Sequence, residues 1–177
     1  MNRKDVLVTE HLVLRKPKIE DIEPMFKNWA SDPEVTKYLT WLPHEDISVT
    51  TMIVNNWLEQ EKDIKTMRYM ITVKGSDEPI GTIDVVDYEN DIHEIGYCLS
   101  RKHWGKGYMT EACKAFVNHL FELGYNSVVI AADVRNIGSN RVIEKCGFTF
   151  THQEHLEHCS SFKDYPVTTN RYIIKNK

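Results

Sequence analysis

Apolar side chains recur at spacings of three and four over residues 103–124, and this period predicts a long amphipathic helix. Gly105 and Gly107 precede the apolar stripe, and Gly124 supplies the left-handed residue that commonly ends a helix. The stripe consists of Met109, Ala112, Cys113, Phe116, Val117, Leu120 and Phe121. No other segment of the chain has so regular a helical pattern.

Shorter stretches with the same period predict further helices. Residues 20–31 form one, and Pro24 is compatible with it because the first amides of a helix need no acceptor. Residues 48–63 form a second, for which Ser48 is the expected N-cap. A short helix is also predicted within NIGSNRVIEKCGF.

Runs of β-branched and aromatic residues between turn signals predict the strands. An opening strand covers 6–17, a β-hairpin covers 67–89, and a third strand over 93–100 completes an antiparallel meander. A strand over 127–134 follows the long helix, and a crossover of this length predicts that it lies parallel to the strand before the helix. The stretches FTFTHQEHLEHC and TNRYIIKN supply the closing strands.

Length and charge limit what this chain can do. Its 177 residues, 41% of them hydrophobic, suit one domain spanning 1–177. The net charge of −4 includes no basic block, which argues against nucleic acid as a partner. Apolar runs such as 128–132 are far shorter than the roughly 20 residues of a membrane helix, and no signal-peptide core is apparent. We therefore expect a cytoplasmic protein without a membrane partner.

The cysteines and histidines do not form a recognisable metal motif. The four cysteines, which are widely spaced without C-x-x-C, suit reduced thiols: Cys98, Cys113, Cys146 and Cys159. The segment HQEHLEHC contains His152, His155 and His158, but residues three apart on a strand face opposite sides, so we expect no metal there. A metal-linked regulatory protein remains an alternative built on this segment.

The turn Gly105–Lys106–Gly107 has its own chemistry because it joins a strand to the start of the long helix. The first amides of a helix lack acceptors and lie at the positive end of its dipole, so anionic oxygens bind there. Glycine removes the Cβ atoms that would hold a phosphate away, and Lys106 adds a charge. A turn that needs glycine only for its dihedral angles is an equal alternative. The P-loop and Rossmann patterns are both absent here.

At this point the sequence resembles a known family. EIGYCLSRKHWGKGYMTEA followed by NIGSNRVIEKCGF is similar to the two core motifs of the GNAT superfamily of acetyl-CoA-dependent N-acetyltransferases, in particular its RimJ/RimL-type branch. That branch includes ribosomal-protein N-terminal acetyltransferases, and the likeness covers nearly the whole chain. It implies an α/β GNAT fold, a mixed and mostly antiparallel twisted sheet of about six to seven strands flanked by helices. It also implies a V-shaped split between the two central parallel strands.

The resemblance implies acetyl-CoA as co-substrate and an amine as acceptor, with no metal. Residues 104–109 match the pyrophosphate-binding pattern Q/R-x-x-G-x-G/A, except that Trp104 and Met109 depart from it, which matters little where the backbone supplies the contacts. The pantetheine is expected between 95–100 and 130–136. The implied coenzyme contacts are Cys98, Leu99, Ser100, Trp104, Gly105, Lys106, Gly107, Tyr108, Met109, Thr110, Asn136, Ser139 and Asn140.

Acetyl transfer needs a neutral amine, a donor for the oxyanion and a proton for the leaving thiolate. The resemblance implies the amide of Cys98, within a residue, as the oxyanion donor. Glu94 is the candidate base, with a water chain as one alternative and His93, on the opposite face of a regular strand, as another. Ser139 is the candidate donor to the sulfur, because Ile143 occupies the position of the family's usual tyrosine.

The acceptor is left open by these motifs. In this family the acceptor pocket is walled by the segments that here carry Trp29, Tyr38, Trp41 and Trp57, with Glu34 or Asp46 available to attract a cationic amine. A protein N-terminus, a polyamine, an amino-sugar antibiotic and another small amine all remain options. Because Ile143 replaces the tyrosine, the alternative function is a non-catalytic acyl-CoA sensor. A homodimer also stays open.

Overall fold

One sheet organises the part of the chain that the computed structural model describes, residues 3–61, 67–89 and 92–176. Its eight strands are β1 (Val6–Val8), β2 (Leu12–Arg15), β3 (Arg68–Val73), β4 (Pro79–Glu89), β5 (Ile92–Leu99), β6 (Ser127–Asp133), β7 (Thr149–Leu156) and β8 (Val167–Lys175). Their spatial order is β1-β2-β3-β4-β5-β6-β8-β7, and all neighbours are antiparallel except β5 and β6, which are parallel. The predicted mixed, mostly antiparallel sheet is confirmed.

Helices flank this sheet. They are α1 (Ile22–Met25, continued by a π-helical turn over Phe26–Ala30), α2 (Pro33–Thr36), α3 (Ile47–Gln60), α4 (Tyr108–Glu122) and α5 (Ile137–Lys145). Pro24 lies in the first turn of α1, as predicted. Within the described ranges, no helix has the length and apolar character that a membrane span needs.

Two predicted boundaries were wrong. The opening strand over 6–17 is two strands joined by a tight turn, in which the Thr9 amide donates to the Leu12 carbonyl at 3.0 Å, so the described part of the sheet has eight strands rather than six or seven. The N-cap of α3 is Asp46 and not Ser48. The Asp46 backbone is extended and its side chain accepts the Ser48 amide at 2.7 Å, which places Ser48 inside the helix.

The two faces of the sheet carry different helices. Helix α4 packs on one face, where Phe116 is completely buried together with strand residues such as Leu99. Helices α1 and α3 pack on the other face, around Trp29 and Met70. Cys98 belongs to this second face because successive side chains of a strand alternate.

The parallel strands β5 and β6 separate part-way along their length. Their paired positions end at Glu94 and Val129, although both strands continue beyond them. Opposite this point the register of β4 shifts between Val85 and Asp87, so the extra residue lies in β4. A bulge bends and twists the pair that contains it, and the predicted V-shaped split opens here.

Candidate functional site

A cavity of about 1260 Å³ lies where β5 and β6 diverge. Residues 95–99 and 130–133 form the walls of the split itself. The cavity continues to the glycine turn and the start of α5 on one side, and to the segment from α1 to α3 on the other. It therefore connects the N-terminus of α4 to the segment that carries Tyr38, Trp41 and Trp57.

The glycine turn has the backbone conformation that its sequence requires. Gly105 and Gly107 have φ angles of 74° and 82°, which side chains other than glycine rarely adopt. Gly107 is the N-cap of α4, so residues 108–110, which line the cavity, have amides without an acceptor in the helix. A Cβ atom at either glycine would meet no atom within 4 Å, so the space beside the turn is open. That space can admit an anion.

Trp104 attaches the turn to the end of β5. Its indole Nε1 donates to the Leu99 carbonyl at 2.7 Å, and its ring lines the cavity. The residue at the expected Gln or Arg position thus holds the loop in place. Lys106 is exposed beside the turn and is not among the residues that line the cavity, so its coenzyme contact stays a prediction.

The pairing with β4 decides which amides of β5 face the split. The Ser100 amide donates to the Ile80 carbonyl at 2.7 Å, toward β4, and Ser100 is buried outside the cavity wall. Amides of alternate residues share one edge of a strand, so the Cys98 amide also faces β4, while those of Tyr97 and Leu99 face the split. We therefore move the expected oxyanion donor from Cys98 to one of these two neighbours.

The Cys98 thiol borders the cavity from the face that carries α1 and α3. Its Sγ lies 3.2 Å from Thr82 Oγ1, and burial raises the pKa of the thiol to about 11. A thiol with this pKa stays protonated at neutral pH, whereas the thiolate is the nucleophile. The side chain is therefore poorly suited to carry an acyl group.

Glu94 lies where the pairing of β5 and β6 stops. Its carboxylate accepts hydrogen bonds from both terminal nitrogens of Arg171 on β8, at 2.9 and 3.2 Å, and both side chains line the cavity. This bidentate pair fixes the orientation of the carboxylate. His93 is buried against Tyr125, with ring centroids 3.8 Å apart. The cavity wall includes Glu94 but not His93, in agreement with the alternation of the strand.

The start of α5 borders the cavity across the split from β5. Asn136 caps the helix, since its side-chain oxygen accepts the Ser139 amide at 3.1 Å. Ser139 Oγ lies 2.9 Å from the hydroxyl of Tyr97. Burial raises the pKa of Tyr97 far above its usual value, so this hydroxyl stays protonated. Ile143 is completely buried in the core and supplies no hydroxyl.

Asn140, which the family resemblance assigns to the coenzyme, is buried and fully hydrogen-bonded within the protein. Its amide nitrogen donates to the carbonyls of Asp133 and Asn136 at 2.9 and 2.8 Å. Its oxygen accepts from Asn170 and Tyr172 at 2.8 and 2.7 Å. These four bonds use the whole capacity of a side-chain amide and tie α5 to the sheet, and the coenzyme contact of Asn140 stays a prediction.

Known proteins share these features. The family described as Acetyltransferase (GNAT) domain matches residues 11–149. The chain is also 35% identical over 147 residues to "Uncharacterized N-acetyltransferase p20" of Bacillus licheniformis, which covers 81% of this chain and 82% of that protein. This chain belongs to the GNAT acetyltransferase family.

Two further GNAT proteins show the branch and the fold. The ribosomal-protein-serine acetyltransferase of Escherichia coli (strain K12) is 28% identical over 152 residues, covering 81% of this chain and 82% of its own. The structure of RimL, the ribosomal L7/L12 alpha-N-protein acetyltransferase in complex with coenzyme A, superposes with a TM-score of 0.83 at 20% identity, over 96% of this chain and 97% of RimL. The predicted RimJ/RimL-type resemblance and the predicted enzyme class, acetyl-CoA-dependent acetyltransferase, are confirmed.

The GNAT cavity has a cationic wall that the sequence analysis missed. Arg141 and Lys145 lie one turn apart on α5 and both line the cavity. Neither forms an ion pair with another part of the chain that the structure describes. Their spacing of four residues was visible in the motif NIGSNRVIEKCGF. Only the structure shows that this face of α5 borders the cavity.

The side of the cavity that faces α1 and α3 is aromatic. Side chains from α3 and the segment before it line this part of the cavity, namely Tyr38, Trp41 and Trp57, whereas Trp29 is completely buried in the core. Glu34 lines it as well, whereas Asp46 is used as the cap of α3 and does not. The hypothesis that aromatic residues line this pocket is therefore supported, and Asp46 is not available to attract an amine.

Asp84 on β4 is a second residue that the sequence analysis missed. It lines the cavity and pairs with Arg68 at 2.8 Å, and the Arg68 guanidinium lies 4.4 Å from the centre of the Trp57 ring. Burial raises the pKa of the Asp84 carboxyl against the opposing charge of Arg68. Strand alternation assigns Asp84 to a face, but it cannot tell that this face borders the cavity.

The histidine segment forms β7 and the turn after it. His155 Nδ1 lies 3.1 Å from Thr168 Oγ1, and His158 bonds Asp164. His152 also lies on β7. Among the residues that the structure describes, no group of three histidine, cysteine or acidic side chains is arranged to hold a metal ion.

Proposed function

We propose that this protein moves an acetyl group from acetyl-CoA to a primary amine that attacks the thioester directly. The observation that carries this proposal is the split beyond Glu94, which leads without interruption to the glycine turn. A strand edge with unpaired amides suits the pantetheine arm, and a helix mouth suits the diphosphate. We also propose that residues 1–177 form one such domain, which works in the cytoplasm, where the four free cysteines would stay reduced.

The coenzyme contacts that we propose are mainly backbone groups. The amides of 107–110 would bind the diphosphate, and Arg141 and Lys145 would add charge near the phosphates. The slot-facing edge at Tyr97 and Leu99 would pair with the pantetheine. Relatives support the ligand, because RimL is described with coenzyme A and the microcin C7 self immunity acetyltransferase MccE with acetyl-CoA and AMP. MccE superposes with a TM-score of 0.80 at 21% identity, over 94% of this chain and 93% of MccE.

In the proposed reaction, the amine lone pair forms a C–N bond at the thioester carbonyl, whose electron pair moves to oxygen. An amide of Tyr97 or Leu99 stabilises the oxyanion. Glu94, oriented by Arg171, accepts the proton that the amine must lose. Collapse of the intermediate breaks the C–S bond, and the thiolate that leaves receives a hydrogen bond from Ser139 and ends as the free thiol.

The acceptor is the least constrained part of the proposal. Relatives are named for different roles, ribosomal-protein-serine acetylation in one case and microcin C7 self immunity in another. The aromatic wall, together with the Glu34 carboxylate, suits a cationic amine that carries an apolar or flat group. We propose that this amine is a protein N-terminus or a small-molecule amine.

A panel of amines tests the proposal. Purified protein is mixed with acetyl-CoA and, separately, peptides with free N-termini, a polyamine, an amino sugar and an aromatic amine, and free thiol and acetylated product are both measured. We expect one class to release thiol in equal amount to acetylated product. Coenzyme binding by calorimetry, with no release above hydrolysis for any amine, would overturn acetyl transfer and favour an acyl-CoA sensor.

A further inference from the structure

The hydroxyl of Tyr97 crosses the split from β5 to the start of α5, and we propose that it positions Ser139 for the leaving thiolate. Its oxygen lies 2.9 Å from Ser139 Oγ and 3.3 Å from the Ser139 carbonyl oxygen. Both residues line the cavity. This inference rests on the proposed acetyl transfer and adds a positioning residue to it.

The single Tyr97 hydroxyl proton can be donated to Ser139 Oγ at 2.9 Å or to the Ser139 carbonyl oxygen at 3.3 Å, and the shorter distance favours donation to Oγ. Tyr97 and Ser139 each have one hydroxyl proton, and each oxygen can also accept. When Tyr97 donates to Ser139 Oγ, the Ser139 proton is free to point at an acceptor in the cavity. A thiolate forming there strengthens this arrangement because hydrogen bonds in a chain polarise one another. The raised pKa of Tyr97 keeps its proton in place across the working range of pH.

The surroundings hold this pair in one geometry. The Asn136 side chain fixes the Ser139 backbone by accepting its amide at 3.1 Å, and Tyr97 selects one rotamer of the Ser139 hydroxyl. Tyr97 itself stands on a central strand, which is a rigid support. Ile143 lies in the core at the position where the family usually has a tyrosine. The hydroxyl of Tyr97 on β5 thus contacts Ser139, whereas Ile143 on α5 has no hydroxyl to offer.

The role is compatible with the atom balance of the reaction. The C–S bond breaks with both electrons on sulfur, and Ser139 donates a hydrogen bond to that sulfur while keeping its proton. Tyr97 likewise keeps its proton and donates to Ser139. The proton that converts the thiolate to the thiol is the one that the amine loses. Neither hydroxyl therefore gives up its proton, and neither has to be reprotonated.

A double-mutant cycle tests the proposal with acetyl-CoA and whichever amine is turned over. We expect Ser139→Ala to lower kcat roughly tenfold and Tyr97→Phe roughly fivefold, as for the loss or misdirection of a hydrogen bond to a charged group. The double variant should be no slower than Ser139→Ala, because Tyr97 acts through the serine. The Kd for coenzyme A, measured by calorimetry, should stay unchanged in all three.

The controls separate positioning from folding. Tyr69→Phe makes the same change at a buried tyrosine whose hydroxyl bonds Lys4 and does not line the cavity, and it should leave kcat unchanged. Two results would overturn the proposal: a double variant whose loss of kcat is the product of the two single losses, or an unchanged kcat in Tyr97→Phe. If Tyr97→Phe does not fold, Ser139→Thr, which keeps the hydroxyl, should be faster than Ser139→Ala, and equal rates would overturn it. Absence of turnover in the unaltered protein would instead defeat the proposed function, and this inference with it.

Discussion

The two halves of the cavity that we propose for the coenzyme and for the acceptor are built from different parts of the polypeptide. The coenzyme half consists largely of backbone: a left-handed glycine turn, the N-terminus of α4 and the free edge of β5. The acceptor half consists of side chains, among them Trp41, Trp57 and Asp84. Backbone contacts survive many substitutions, as Trp104 in the glycine turn illustrates, whereas contacts made by side chains change with each one. This difference explains why the donor is easier to infer from the sequence than the acceptor.

The largest expected effect lies at Glu94, where the two halves meet. Glu94→Gln removes the proposed base, so we expect kcat at pH 7 to fall about 100-fold and its pH profile to shift, with coenzyme affinity unchanged. Steady-state rates from pH 5 to 9 and calorimetry provide the measurement. Glu154→Gln is the matched control, because Glu154 also approaches Arg171, at 3.7 Å, but does not line the cavity. An unaltered pH profile in Glu94→Gln would remove it as the base.

The backbone character of the coenzyme half is tested at Gly107. Valine is strained at a φ of 82°, so Gly107→Val should distort the turn and weaken coenzyme A binding at least about tenfold, roughly 1.4 kcal/mol. Gly75→Val is the control, since Gly75 has a φ of 84°, equally open surroundings and no place in the cavity wall. It should cost stability without changing the Kd. Equal affinities for Gly107→Val and the unaltered protein would contradict the proposed diphosphate site.

A smaller effect is expected from the cations of α5. Replacing Arg141 and Lys145 together by glutamine should weaken coenzyme A binding about fivefold at low salt and much less at 1 M salt, where the screening length is about 3 Å. Calorimetry at two salt concentrations measures this. Lys114→Gln makes a similar change on an exposed position of α4 outside the cavity and should leave the Kd unchanged. A salt-independent loss would indicate altered folding of α5 rather than lost charge.

The smallest effect is expected at Cys98, on the boundary between the halves. Because burial raises the pKa of its thiol to about 11, Cys98→Ala should change kcat no more than about threefold. Mass spectrometry of the unaltered protein with acetyl-CoA should find no acetyl group on this residue. A loss beyond about 100-fold together with an acetylated Cys98 would replace direct attack by a covalent intermediate.

Particular residues show which features the local sequence pattern predicts and which it does not. The apolar stripe of α4 and its flanking glycines were predicted correctly, because helical period and left-handed φ angles are local properties. The cap of α3 was assigned to Ser48 instead of Asp46, since two neighbouring cap formers compete and only the backbone conformation separates them. Asn140 was assigned to the coenzyme from a motif, yet partners on β8 and near α5 use all its bonds.

By itself, the sequence determined the order of the elements, the left-handed glycine turn and the parallel relation of β5 to β6, because each depends on local period, dihedral angle or crossover length. Only the tertiary structure decided which amides face the split, since that depends on the register between β5 and β4. It also decided that Arg171 meets Glu94, 77 residues away, and that Tyr97 meets Ser139, 42 residues away. Contacts of this range follow from how strands and helices pack, which no local pattern specifies.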